Sequence, residues 1–225
     1  MQLYSIETGY FKLDGGAMFG VVPKTLWNKQ HEADVNNRIQ MSMRCLLIED
    51  GNRLILVDTG IGDKQDPKFF SHYDLNGSDT LKLSLKAHGF SPSDITDVIL
   101  THSHYDHAIN WTLFAHAQIH MGGEEMDWSL KAPWGRTPVP ELYMATLADW
   151  PSFKRLSAGD APIPNLTAHA APGHTPGHLI FILDGVAFDI VFTGDAAKNR
   201  AELLSMAADM SLDKAESHAT FERIW

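Results

Sequence analysis

Six consecutive residues, His102-Ser103-His104-Tyr105-Asp106-His107, hold four groups able to ligate a metal ion. They follow directly on Asp97-Val98-Ile99-Leu100-Thr101, an apolar run that reads as a buried strand. Along an extended segment, side chains return to one side every second residue, so His102 and His104 point the same way. The adjacent Asp106 and His107 then point elsewhere, toward a second ion. A ligand-bearing loop at the end of a buried strand has a rigid base. Neutral imidazoles and carboxylates suit zinc, and also iron or manganese; no thiolate is on offer. A solvated polar loop accounts for one histidine but poorly for four donors at this spacing.

Two later segments carry the same residue types. Pro172-Gly173-His174-Thr175-Pro176-Gly177-His178 sets His174 in a glycine-proline turn, where the backbone is held and can approach an ion. His178 opens the next apolar run and reads better as a buried supporting residue than as a ligand. Phe192-Thr193-Gly194-Asp195 is a strand running into a carboxylate, which is either a ligand or a helix cap.

In this order, Asp58-Thr59-Gly60, the His102–His107 motif, Gly173 to His178 and Thr193-Gly194-Asp195 resemble the metallo-β-lactamase-fold hydrolase superfamily, in its lactonase and glyoxalase II-like branch. The resemblance implies an α/β fold, an αββα four-layer sandwich of two mixed β-sheets flanked by helices. It implies a dinuclear site at one edge of the sheets. His102, His104 and His174 are then ligands of the first ion, Asp106 and His107 of the second, and Asp195 the bridge. Asp58 orients ligands through hydrogen bonds. Family members usually add a histidine beyond the Thr-Gly-Asp segment, and the only histidine after Asp195 is His218. It falls in a helical stretch from Ser211 that stops at Phe221-Glu222-Arg223-Ile224-Trp225 without a cap or polar tail. The expectation is a chain cut short of its last ligand, with two Zn2+ ions of which the second binds weakly. Phe221, Ile224 and Trp225 are expected to lack a partner, which favours association into a homodimer. The lactonases that open acyl-homoserine lactones also tend to carry a tyrosine just after the bridging Asp; here the run is Ala196-Ala197-Lys198-Asn199-Arg200.

A water shared by two cations has its pKa lowered to roughly 7 and can attack a carbonyl or phosphoryl centre. Asp106 is the candidate catalytic group, able to move a proton as well as hold metal. The expected activity is that of a zinc-dependent hydrolase acting on a lactone or ester. β-Lactam or thioester hydrolysis, an iron-dependent sulfur oxygenase and an inactive metal-binding member remain as alternatives.

The elements that must position these residues come from the rest of the chain. Two apolar runs flank Asp50-Gly51-Asn52, a hairpin signal within residues 43–58. Cys45 lies in the first run and reads as a small buried hydrophobe. Asp79 can cap a helix that runs to about His88 and stops at Gly89. Leu166–Ala170, Leu179–Leu183 and Ile190–Thr193 read as strands. Residues 123–153 suggest helices near Gly123–Leu130 and Pro140–Ala148 around a proline-broken loop. Their aromatic residues, with Met18, Phe19 and Trp27, either wall an apolar substrate pocket or pack the core.

Composition bounds the rest. The 225 residues are 44% hydrophobic and 20% charged, ordinary for a globular chain, and no linker divides them, so residues 1–225 are expected to form one domain. The net charge of −10 argues against nucleic acid or an anionic membrane as the main partner, and favours a small-molecule substrate with an apolar moiety over a polyanion. One cysteine allows no internal disulfide. No basic-then-apolar leader and no run of 18 apolar residues is visible, so a cytoplasmic location is expected.

Overall fold

In the computed structural model, residues 1–62, 67–76, 80–131, 141–205 and 211–224 are described. The chain opens with a long strand β1 (Gln2–Asp14), two short helices α1 (Gly15–Phe19) and α2 (Lys24–Trp27), then β2 (Arg38–Asp50) and β3 (Arg53–Val57). Helices α3 (Pro67–Ser71) and α4 (Leu81–Ala87) precede β4 (Asp97–Leu100). Next come α5 (Tyr105–Ala108), β5 (Gln118–Gly122), α6 (Gly123–Lys131), α7 (Glu141–Ala148) and β6 (Phe153–Leu156). The last third supplies β7 (Leu166–Ala170), β8 (Leu179–Leu183), β9 (Ile190–Phe192), α8 (Arg200–Ser205) and α9 (Lys214–Ile224).

Strands β1 to β6 form one mixed sheet in chain order; β7, β8 and β9 form an antiparallel one. Gly51 and Asn52 close the expected hairpin, with Asp50 opposite Arg53. β3, β4, β5 and β6 then run parallel, as helical crossovers require. The central strands are buried on both faces, which explains their unbroken apolar runs. Alternation sorts the side chains: Leu54, Leu56, Val98 and Leu100 join the core beneath the helices. Ile55, Val57 and Ile99 face the other way and pack with Leu166, Ala168, Phe181 and Leu183 of the small sheet. Sheet on sheet, with helices outside, is the layered arrangement expected.

The helix near Leu81 has Thr80 as its N-cap residue, and its expected Asp79 cap lies outside the described residues, as do residues 132–140. Phe221 differs from expectation. It is 1% exposed and packs with Ala197 and Leu203, so α9 is docked rather than left bare.

A charged network ties the other end of the sheet. Arg53 donates to both oxygens of buried Asp97, at 3.2 and 2.6 Å, and Thr96 Oγ1 donates at 2.7 Å. His120 Nε2 lies 3.3 Å from Asp97 Oδ1. Burial pushes the Asp97 carboxyl up, but the bonds from His120, Arg53 and Thr96 outweigh it and hold it below the usual carboxylate range. A depressed carboxylate contributes stability that is present above its unfolded pKa of about 3.9 and lost as pH falls toward its folded value. Urea midpoints should therefore drop below about pH 4. Asp97→Asn should be less stable near neutrality and show a flatter acid limb; identical acid slopes would remove Asp97 from the balance.

Candidate metal centre

The chemistry-bearing residues converge where the two sheets meet. Asp58 follows β3 and His102 follows β4, side by side because those strands are neighbours. His174 lies in the β7–β8 loop and Asp195 follows β9. The Leu179 amide donates to the Thr101 carbonyl at 3.0 Å, stitching the start of β8 to the end of β4.

His102, His104, His174 and Asp195 each offer one donor atom, all within 4.8 Å of one another. His174 Nε2 faces His104 Nδ1 at 2.8 Å and Asp195 Oδ2 at 3.2 Å. His102 is fully buried, and its Nε2 has no hydrogen-bond partner. A buried, unpaired nitrogen at the centre of such a cluster is costly unless something else uses its lone pair. Burial first, and the neighbouring imidazoles after it, push the His102 pKa well below its ordinary value. The same two causes bring His104 down to about 3. Both rings are therefore neutral at physiological pH, the form that ligates metal. The donor set fits a divalent cation.

His107 stands beside this group, its ring centroid 4.2 Å from that of His102. Its Nδ1 donates to Asp58 Oδ2 at 2.8 Å, which turns Nε2 toward Asp195 Oδ1 at 3.4 Å and Asp106 Oδ2 at 3.5 Å. Burial pushes the His107 pKa down, but Asp106, Asp58 and Asp195 outweigh it and hold it well above its ordinary value. The Asp195 carboxylate thus straddles two groups, one oxygen toward His174 and the other toward His107.

Asp58 is buried in a left-handed conformation at φ 63°. Besides His107 it accepts from the Thr101 amide at 2.9 Å and from Thr101 Oγ1 at 3.0 Å. Thr101 Oγ1 also lies 3.0 Å from His102 Nδ1, so its hydroxyl links Asp58 to the ring. Thr101 was not singled out in the sequence; its place just ahead of the first histidine is the signal that marks it. His178 is buried and its Nε2 accepts the Asp195 amide at 3.1 Å, which agrees with the supporting reading. His218 is half-exposed on α9, 3.6 Å from Glu222, and does not join the cluster.

The cluster opens into a cavity of about 290 Å³. Phe11, Leu13, Met18, Met41 and Phe192 form its apolar wall; Asp106, His107, His174 and Asp195 line it as well. Met18 therefore belongs to the pocket, with Phe19 and Trp27 stacked behind it at 5.1 Å between ring centroids. The aromatic stretch 123–153 does not reach it among the described residues. Met126 and Met144 are core, and Trp150 packs edge-on against Trp111.

The sequence profile of the metallo-beta-lactamase superfamily matches residues 44–220. The chain belongs to this superfamily of metal-dependent hydrolases. It is 26% identical over 213 residues to a probable metallo-hydrolase of Mycobacterium tuberculosis, spanning 83% of this chain and 69% of that one. An N-acyl homoserine lactonase of Bacillus cereus is 24% identical over 66% of this chain and 60% of its own length. Among solved structures, a probable metal-dependent hydrolase from Staphylococcus aureus superposes with a TM-score of 0.88 at 24% identity, over 99% of this chain and 83% of that one. A dizinc quorum-quenching lactonase superposes at 0.78 with 22% identity, over 98% and 81%. At these identities the likeness is one of fold. Among the described residues, no helix is long and apolar enough to cross a membrane.

Proposed function

We propose that this chain is a dinuclear metal-dependent hydrolase that opens a lactone or ester carrying an apolar arm. The observation that carries the reading is the Asp195 carboxylate, with its two oxygens 3.2 Å from His174 and 3.4 Å from His107. In this reading His102, His104 and His174 hold the first cation, Asp106 and His107 the second, and Asp195 both. Imidazole and carboxylate donors suit Zn2+. When bound, such a pair supplies Lewis acidity and a water of lowered pKa.

The chain's own residues do the rest. Asp58 and Thr101 fix the His107 and His102 rings through Nδ1, which leaves Nε2 of each to hold a cation. Asp106 lines the cavity and carries a proton at its carboxylate between the attacking water and the leaving group. Phe11, Leu13, Met18 and Phe192 shed water from an apolar arm. Arg44 and Lys198 also line the cavity, but Glu7 lies 2.5 Å from Arg44 and Glu202 lies 3.3 Å from Lys198. Their charge is already matched, which disfavours a polyanionic substrate. The lactonases resembled here act on N-acyl homoserine lactones, which join a lactone to an acyl arm, and this agrees with the cavity.

Metal analysis combined with a panel of chromogenic ester, lactone, thioester and β-lactam substrates tests the reading. The zinc-loaded protein should turn over a lactone or ester fastest. A chelator should remove at least about 100-fold of that rate, and added Zn2+ should restore it. Faster β-lactam or thioester turnover, or hydrolysis indifferent to chelation, would overturn the assignment.

A further inference from the structure

Glu125 is fully buried, and the chemistry above has no use for it. It is the third residue of α6, and its carboxylate lies between loops that belong to different sheets. Oε1 accepts from the Ser103 amide at 2.9 Å and from Ser103 Oγ at 2.6 Å. Oε2 accepts from Thr175 Oγ1 at 2.7 Å and from the Gly177 amide at 3.1 Å. Ser103 sits between His102 and His104, and Thr175 directly follows His174. Each oxygen thus takes one hydroxyl and one amide, and each pair of donors belongs to one ligand loop.

This arrangement is expensive. A buried carboxylate loses its hydration and persists where its lone pairs are filled. Apolar packing would serve stability alone as well or better. What packing cannot supply is direction. Hydrogen bonds to two oxygens of one rigid carboxylate fix the separation and tilt of both loops at once. The backbone makes room for this clamp at Gly177, where a Cβ would stand 2.1 Å from the Glu125 nitrogen.

We propose that Glu125 is a positioning residue that locks the His102–His104 loop to the His174 loop, so that three imidazole donors stand in place before a cation arrives. The proposal rests on the metal-site reading above. Glutamine keeps the volume but sets an NH2 group against one pair of donors. A hydroxyl there can turn and accept; an amide N–H cannot, so one loop is released.

The test titrates Co2+ into the metal-free full chain, at a temperature where far-UV circular dichroism shows each variant folded. Glu125→Gln should bind the first cobalt on the order of 10-fold more weakly than wild type and shift its visible absorption bands. A lowered melting temperature with unchanged cobalt affinity and spectrum would overturn the proposal, leaving Glu125 a packing residue. Should Glu125→Gln fail to fold, the double variant Ser103→Ala with Thr175→Val removes one donor from each oxygen. It should weaken cobalt several-fold, and unchanged affinity again overturns the proposal. His104→Ala separates the two levels. If it loses cobalt while the clamp variants keep it, the clamp alone is wrong. If it binds cobalt like wild type, the metal-site reading falls and takes the clamp with it.

Discussion

Replacing Asp195 with alanine should cut turnover of the best substrate by at least about 100-fold while the chain stays folded. Residues that merely support metal ligands cost about 10- to 100-fold in affinity or activity when removed, and a shared carboxylate should cost no less. Its two oxygens reach toward His174 and His107, groups that come from different sheets. Without it, the two cations of the proposed site would face one another with less negative charge between them, and their repulsion grows as 1/r. The side chain lies at the cavity wall, so its loss opens no void in the core. The checks are kcat on the substrate found by the panel, elemental analysis and circular dichroism. Near wild-type turnover with full metal content would reduce Asp195 to the middle residue of the turn Gly194–Ala196.

Gly173→Ala should be among the most destabilising single changes, by about 3 kcal/mol or more. Gly173 has φ 132°, a conformation L-residues rarely adopt, and a Cβ there would lie 2.4 Å from the Ser217 Cα and 2.5 Å from its nitrogen. Neither neighbour is a flexible tip; both are backbone of α9. The Asp213 amide donates to the Gly173 carbonyl at 2.9 Å, and Thr220 Oγ1 donates to the Pro172 carbonyl at 2.7 Å, so α9 is held against this turn. Relief of the clash must either lift α9 or shift the loop that carries His174. Urea denaturation and cobalt titration together read both routes. A variant with wild-type midpoint and affinity would show that the turn and the helix can part at no cost.

The residues of the cluster were legible because short motifs at strand ends survive without knowledge of packing. His102, His104, Asp106 and His107 all follow one buried strand, but Asp106 and His107 stand in helix α5, where the period of two that pairs His102 with His104 no longer applies. The strands Leu166–Ala170 and Leu179–Leu183 were legible for the same reason. The first strand was not. In Gln2–Asp14 the pairing with β2 shifts between Glu7 and Tyr10, so the alternation changes phase partway and no single period describes it. Glu125 was hidden differently. It looks like any acidic residue in the first turn of a helix, and its partners lie 22 to 52 residues away. The aromatic residues of 123–153 carried no sign of whether they faced substrate or core, since both environments select the same side chains.

The stitch between Leu179 and Thr101 bears on how the chain becomes functional. The large sheet is complete by residue 156, before any of the small sheet has been made. A chain at that stage carries His102, His104, Asp106 and His107 but neither His174 nor Asp195, four of the six ligands proposed above. The remaining two arrive with the docking of β7, β8 and β9. If the proposed ligand set holds, firm metal capture waits for the last third of the chain, and bound metal becomes a record that both sheets have assembled in register.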